Sequence, residues 1–85
     1  MYYIYILKLK NDSLYIGFSK NIKERTLNHE LGKSPYTSKF LPVKLIYSEC
    51  YINKTDILAR EKFLKSGRGR EVIKKQLRNT LKRKS

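Results

Sequence analysis

Apolar positions come in two kinds of run along this chain. From Tyr2 to Leu9 the side chains are β-branched or aromatic and apolar at odd and even positions alike, the pattern of a strand covered on both faces and therefore central in a sheet. Lys10-Asn11-Asp12-Ser13 supplies turn residues, and Leu14 to Phe18 resumes the apolar pattern, so the two runs read as a hairpin. A connection of odd length puts Tyr5 and Tyr15 on one face and an even one separates them; the same face is the expectation.

The later segments change period. Asn21 is placed to cap a helix, with Glu24 three residues on, and that helix should end at Gly32. Ser34 to Pro42 reads as a loop carrying Tyr36, Lys39 and Phe40, and Val43 to Tyr47 as a third strand with Cys50 and Tyr51 at its far end. A second helix is expected from Asn53–Thr55 to Lys65, a break at Ser66-Gly67-Arg68-Gly69, and a last helix from Arg70 to Leu81 that buries Val72, Ile73 and Leu77. The order β-β-α-β-α-α predicts an α+β fold with a three-stranded antiparallel sheet flanked by helices. Residues 1–80 are expected to form one domain and 81–85 a frayed basic tail.

Charge adds a partner class. The 85 residues carry a formal net charge of +13. From Arg60 to Ser85, eleven positive side chains against Glu61 and Glu71 leave +9. Phosphate backbones are the natural counterpart, with binding that weakens steeply as salt rises; a merely soluble, lysine-rich surface is the plainer reading. Cys50 is alone and His29 is the one histidine, so neither an internal disulfide nor a Cys/His metal cluster can form. No apolar run approaches membrane-spanning length. A cytoplasmic protein is the expectation.

Several polar residues stand where chemistry would need them. Arg25 and His29 share a helical face with Ile22, a spacing that fits either a solvated face or a phosphate clamp. Glu61 shares one side of the second helix with Ile57, Leu58 and Leu64. A carboxylate on an apolar stripe is costly to bury unless it is paired, here with Arg25, Lys8 or Arg60, or binds a metal. By composition alone Tyr5 and Tyr15 read as half-buried strand aromatics.

Together, Tyr3-Ile4-Tyr5, Tyr15-Ile16-Gly17, the Arg25/His29 pair and Glu61 resemble the GIY-YIG nuclease domain, above all its small stand-alone bacterial members, and are similar to the N-terminal nuclease domain found in the excinuclease ABC complex. The likeness runs from Tyr2 to about Gln76. It implies a metal-dependent DNA endonuclease with a role in repair, recombination or processing of branched or flapped DNA, leaving 5′-phosphate and 3′-hydroxyl ends. Tyr5 is implied as the base toward water, with a neighbouring cation (Lys8, Arg25 or His29) favouring the phenolate. Tyr15 would hold the water or phosphate, Arg25 the non-bridging oxygens, and His29 would take the proton from Tyr5 or orient its hydroxyl. Glu61 would be the one protein ligand to Mg²⁺ or Mn²⁺. Gly17 would allow close approach, while Lys8, Lys20, Lys33, Lys39, Arg68 and Arg70 steer phosphates. Tyr36 and Phe40 are placed to stack on an unpaired base. A partner protein or a second copy would add specificity, and a non-catalytic nucleic-acid-binding module is the alternative reading.

Overall fold

The computed structural model describes residues 1–82. Two strands, β1 (Tyr2–Lys8) and β2 (Leu14–Ser19), form the hairpin. Helix α1 (Ile22–Glu30) and a 3₁₀ turn (Thr37–Phe40) lead to β3 (Lys44–Tyr51), and three helices follow: α2 (Lys54–Lys65), α3 (Gly67–Gln76) and α4 (Arg78–Lys82). The sheet order is β2-β1-β3 with both pairings antiparallel, so the strand that is apolar on both faces is the central one.

The hairpin register follows from its connection. Lys8 pairs with Leu14, which leaves residues 9–13 outside the ladder, an odd number. Asn11 Oδ1 accepts from the Ser13 N–H at 3.1 Å, and Asp12 takes a positive φ of 67°. Tyr5 then lies opposite Gly17 and Leu7 opposite Tyr15, so both tyrosines share a face as expected.

The sheet divides the molecule's interior. On one face Ile4, Ile6, Leu14 and Ile16 pack with Ile57 and Leu64 of α2, Ile73 of α3 and Leu77. A fully buried isoleucine of this kind contributes about 1.5–3 kcal/mol. On the other face lie Tyr5 and Leu7, covered by α1 and by the 3₁₀ turn through Phe40 and Leu41. The β1–β3 register skips Ile46, which keeps Tyr47, Glu49 and Tyr51 on the isoleucine face.

Helix ends are set by side chains. Asn21 Oδ1 accepts from the Glu24 N–H at 3.1 Å, and Gly32 stands just past α1 with φ 75°. Asn53 caps α2 through the Thr55 N–H at 2.8 Å. Ser66 alone makes the break between α2 and α3, capping α3 through the Gly69 N–H at 3.1 Å. The last helix therefore starts at Gly67 rather than Arg70, because one capping residue is enough to end one helix and begin the next. Gly69 is needed there: a Cβ would run into the Phe63 carbonyl. A short step at Leu77 divides the predicted last helix into α3 and α4.

Two further expectations are corrected. Val72 is exposed, since α3 turns Ile73 inward instead. Leu58 is also exposed, so the apolar side of α2 is narrower than its sequence suggests. Residues 81 and 82 are helical, with Leu81 packed on the core; the rest of the expected frayed tail lies outside the described residues.

Candidate active site

Tyr5 reaches the site from the middle of the sheet. It is 2 % exposed, and its hydroxyl lies directly over Gly17 on the neighbouring strand. A Cβ at position 17 would overlap that hydroxyl, so the glycine makes room for the tyrosine rather than for a ligand. The Tyr5 oxygen is 3.0 Å from His29 Nε2, and His29 Nδ1 is 2.7 Å from Thr37 Oγ1. His29 and Thr37 are both buried. With Nδ1 protonated and donating to Thr37, Nε2 is free to accept the Tyr5 proton. The chain Tyr5–His29–Thr37 thus links β1, α1 and the 3₁₀ turn, and every buried side-chain polar atom among the described residues has a partner.

Burial acts on both ring systems. Tyr5 is pushed up to about 12, first by burial and then by Tyr15, against the downward pull of Arg25; the Glu61 charge adds to the rise. The expected phenolate is therefore not favoured, because desolvation outweighs the guanidinium. Burial, and secondly Arg25, also hold His29 below its ordinary 6.5, so it is a neutral imidazole at neutral pH rather than a cation.

Arg25 stands on α1 and Glu61 on α2, and the charges of both act on Tyr5. Arg25 is exposed and makes no side-chain hydrogen bond or ion pair among the described residues. It borders a cavity of about 380 Å³ together with Ser19, Lys20, Asn21, Glu24 and Asn28. Glu61 keeps 20 % of its side chain exposed and pairs with Lys65 at 3.2 Å, not with Arg25, Lys8 or Arg60. The partner missed in the sequence sits one helical turn away, and it is itself half in solvent.

The aromatic rings continue outward. Tyr15 lies 6.3 Å from Tyr5 and 5.0 Å from His29 between ring centroids, and Tyr36 lies 5.9 Å from Tyr15. Phe40 is 5.5 Å from Tyr36. Phe40 is packed against Leu7, Leu9 and Val43, so it is less open than expected, whereas Tyr36 is 55 % exposed.

The basic residues do not all gather here. Lys8 belongs to the isoleucine face by strand alternation, pairs with Asp12 at 3.4 Å, and is not a neighbour of Tyr5. Arg70 ties α3 to the hairpin through the Leu14 carbonyl at 3.2 Å. Lys20 stands beside Arg25 and 5.5 Å from the Tyr2 ring, while Lys33, Lys39 and Arg68 are exposed. Arg60, a candidate partner for Glu61, grips Glu49 instead at 2.9 Å, and Tyr47 and Tyr51 donate to the same carboxylate. The alternation Tyr47-Glu49-Tyr51 is the sequence signal for that cluster.

The donor set suits a hard divalent cation held by one carboxylate. Among the described residues no three His, Cys, Asp or Glu side chains gather into a cage. Glu61 is partly open, and it is linked to Lys65 at the surface. Magnesium commonly takes one or two protein carboxylates and completes its shell with water and substrate phosphate.

The pattern of the GIY-YIG catalytic domain matches residues 1–77. The chain belongs to the GIY-YIG family. That family is one of nucleases, which generally use a divalent metal, and its domain implies a nucleic-acid substrate. A UPF0213 protein of Staphylococcus saprophyticus is 41% identical over 66 residues, 76% of this chain and 80% of its own. One from Clostridium perfringens is 42% identical over 66 residues, 76% of this chain and 71% of its own. The solution NMR structure of the UPF0213 protein BH0048 from Bacillus halodurans superposes with a TM-score of 0.56 at 30% identity, covering 86% of this chain and 82% of that one. These GIY-YIG relatives bear names that state no reaction. No helix among the described residues is long and apolar enough to cross a membrane.

Proposed function

We propose that this chain is a divalent-cation-dependent endonuclease that hydrolyses DNA phosphodiester bonds. One observation carries the reading: the Tyr5 hydroxyl, on which the charges of Arg25 and Glu61 both act, is hydrogen-bonded at 3.0 Å to a buried, neutral His29.

A phenol pushed up to about 12 is a poor base by itself. It can still pass a proton along. Water attacks phosphorus while its proton moves to the Tyr5 oxygen and the Tyr5 proton moves to His29 Nε2. The water oxygen–phosphorus bond forms, the bond to the 3′-oxygen breaks, and that oxygen leaves with a proton from solvent. Thr37 holds the imidazole so that Nε2 faces Tyr5, 2.7 Å away at the other nitrogen. Tyr15 lies against both rings and helps to position the water or phosphate. Arg25 takes the non-bridging oxygens through its forked guanidinium, for which it has no competing partner among the described residues. Glu61 is the residue that would hold Mg²⁺ or Mn²⁺, which when bound would stabilise negative charge on the phosphate and the departing oxygen.

The substrate is DNA in double-stranded, branched or flapped form, in repair, recombination or related processing within the cytoplasm. Lys20, Lys39 and Arg68 steer the backbone, and a partner protein or a second copy adds specificity to so small a surface.

The deciding experiment incubates the purified protein with Mg²⁺ or Mn²⁺ and single-stranded, nicked, flapped and branched DNAs. Wild type is expected to cut at least one of them, and Glu61→Gln and Tyr5→Phe each to lose about 10²-fold or more. Tight binding of all four without a cut would make this a binding module. Variants as active as wild type would remove the assigned roles.

A further inference from the structure

Resting on the nuclease reading, we propose that Tyr36 is a stacking platform for an unpaired nucleobase beside the phosphate to be cut, so that single-stranded flaps are preferred over continuous duplex. Tyr36 is the outermost ring of a ladder that begins at the buried Tyr5. Tyr5 and Tyr15 are stacked with an interplanar angle of 21°, and Tyr15 and Tyr36 with one of 27°. Tyr5 is buried and Tyr15 half-buried, but Tyr36 leaves 55 % of its surface in water.

The platform is held in place. Phe40 backs Tyr36 at 5.5 Å and 50°, and the Ser38 N–H is bonded to the Ser34 carbonyl at 2.9 Å. The next residue, Thr37, is buried and bonded to His29, which ties the ring's backbone to the proton-transfer chain. A ring fixed in this way can accept a base without first being ordered.

The ligand class follows from the surroundings. Exposed Lys33 and Lys39 flank the ring in the chain, and the whole protein carries +13. Those charges suit the phosphates on either side of a stacked base, and every base has an aromatic face. A base inside a duplex already has neighbours on both faces, so only an unpaired one is free to lie on Tyr36.

The test uses fluorescein-labelled DNA in EDTA, so that binding is read by anisotropy and nothing is cut. A 5′-flap DNA is expected to bind wild type about tenfold more tightly than the matching continuous duplex, the scale of one stacked base. Tyr36→Ala should lose that margin and Tyr36→Phe should keep it, with duplex affinity unchanged in both. An abasic residue walked along the flap should cost wild type the same factor at one position, a result that needs no variant to fold. No flap margin, no sensitive abasic position, or a margin retained by Tyr36→Ala would each overturn the platform. Because no cleavage is read, an inactive wild type would count against the nuclease reading alone.

Discussion

On the face of β1 that carries Ile4 and Ile6, the neighbours are aliphatic side chains of two helices, and Glu49 is closed off by Arg60, Tyr47 and Tyr51. On the face that carries Tyr5, the buried neighbours are a histidine and a threonine, and the charge of the exposed Arg25 acts on both rings. Both faces are dry at the strand, yet they treat polarity differently. The first satisfies its charge completely and uses it to hold β3 to α2. The second satisfies its buried hydroxyl and imidazole but leaves Arg25 without a side-chain partner among the described residues, while Glu61, which reaches Tyr5 by its charge from α2, meets Lys65 at the surface. Charge that is fully paired inside a fold stabilises it or marks its register; charge left open beside a neutral hydrogen-bonded pair is available for a substrate.

That contrast can be broken most sharply by two substitutions. Arg25→Ala should lower cleavage about 10²–10³-fold, the loss typical of one group that stabilises a developing anion. Its melting temperature should stay near that of wild type, because the side chain is exposed. Ile57→Ala should do the reverse: it empties a fully buried site and should cost about 3 kcal/mol in denaturant titration, with activity per folded molecule kept. If Arg25→Ala destabilised the fold as much as Ile57→Ala, the functional face would be structural after all.

Glu49→Gln comes next. Burial raises the Glu49 carboxyl, but hydrogen bonds from Arg60, Tyr47 and Tyr51 outweigh it and hold the group below its usual 4.5. The stability it contributes is present above 4.5 and is lost as pH falls through the lowered folded value. The variant should be about 2 kcal/mol less stable at pH 7, with a flatter acid limb in thermal melts. Cleavage by the folded fraction should not change.

The smallest effect is the pH response of His29. Its folded value lies below 6.5, so an unfolded chain binds the proton first as pH is lowered. Stability should be fully present above 6.5 and decline as pH drops from there through the folded value. Cleavage should fall in the same direction, because an imidazolium cannot accept the Tyr5 proton. A cleavage rate that is flat from pH 7 to 5, in a protein still folded by circular dichroism, would remove His29 from the proton path.

Much of the architecture was legible in residue types and spacing. The doubly apolar run Tyr2–Leu9 marked a central strand, and the odd connection after it put Tyr5 and Tyr15 on one face. Asn21 announced the first helix start through its capping chemistry, and Asn53 marked the expected start of the second. Where local pattern misled, the cause was tertiary. Val72 and Leu58 look like core residues by spacing, but the helices present Ile73, Ile57 and Leu64 to the sheet and leave no room for more. Lys8 looks like a neighbour of Tyr5 in the chain but stands on the other face.

The sequence by itself determined the order of elements, the hairpin register, the family and the set of titratable groups worth watching. Periodicity and capping act within a few residues, and such information is written locally. Only the tertiary structure decided that His29 is neutral, that Thr37 orients it, that burial overrides Arg25 at Tyr5, and that Lys65 rather than Arg60 meets Glu61. Those facts depend on how much water is excluded and on which distant groups come within a few ångströms, and packing alone sets both.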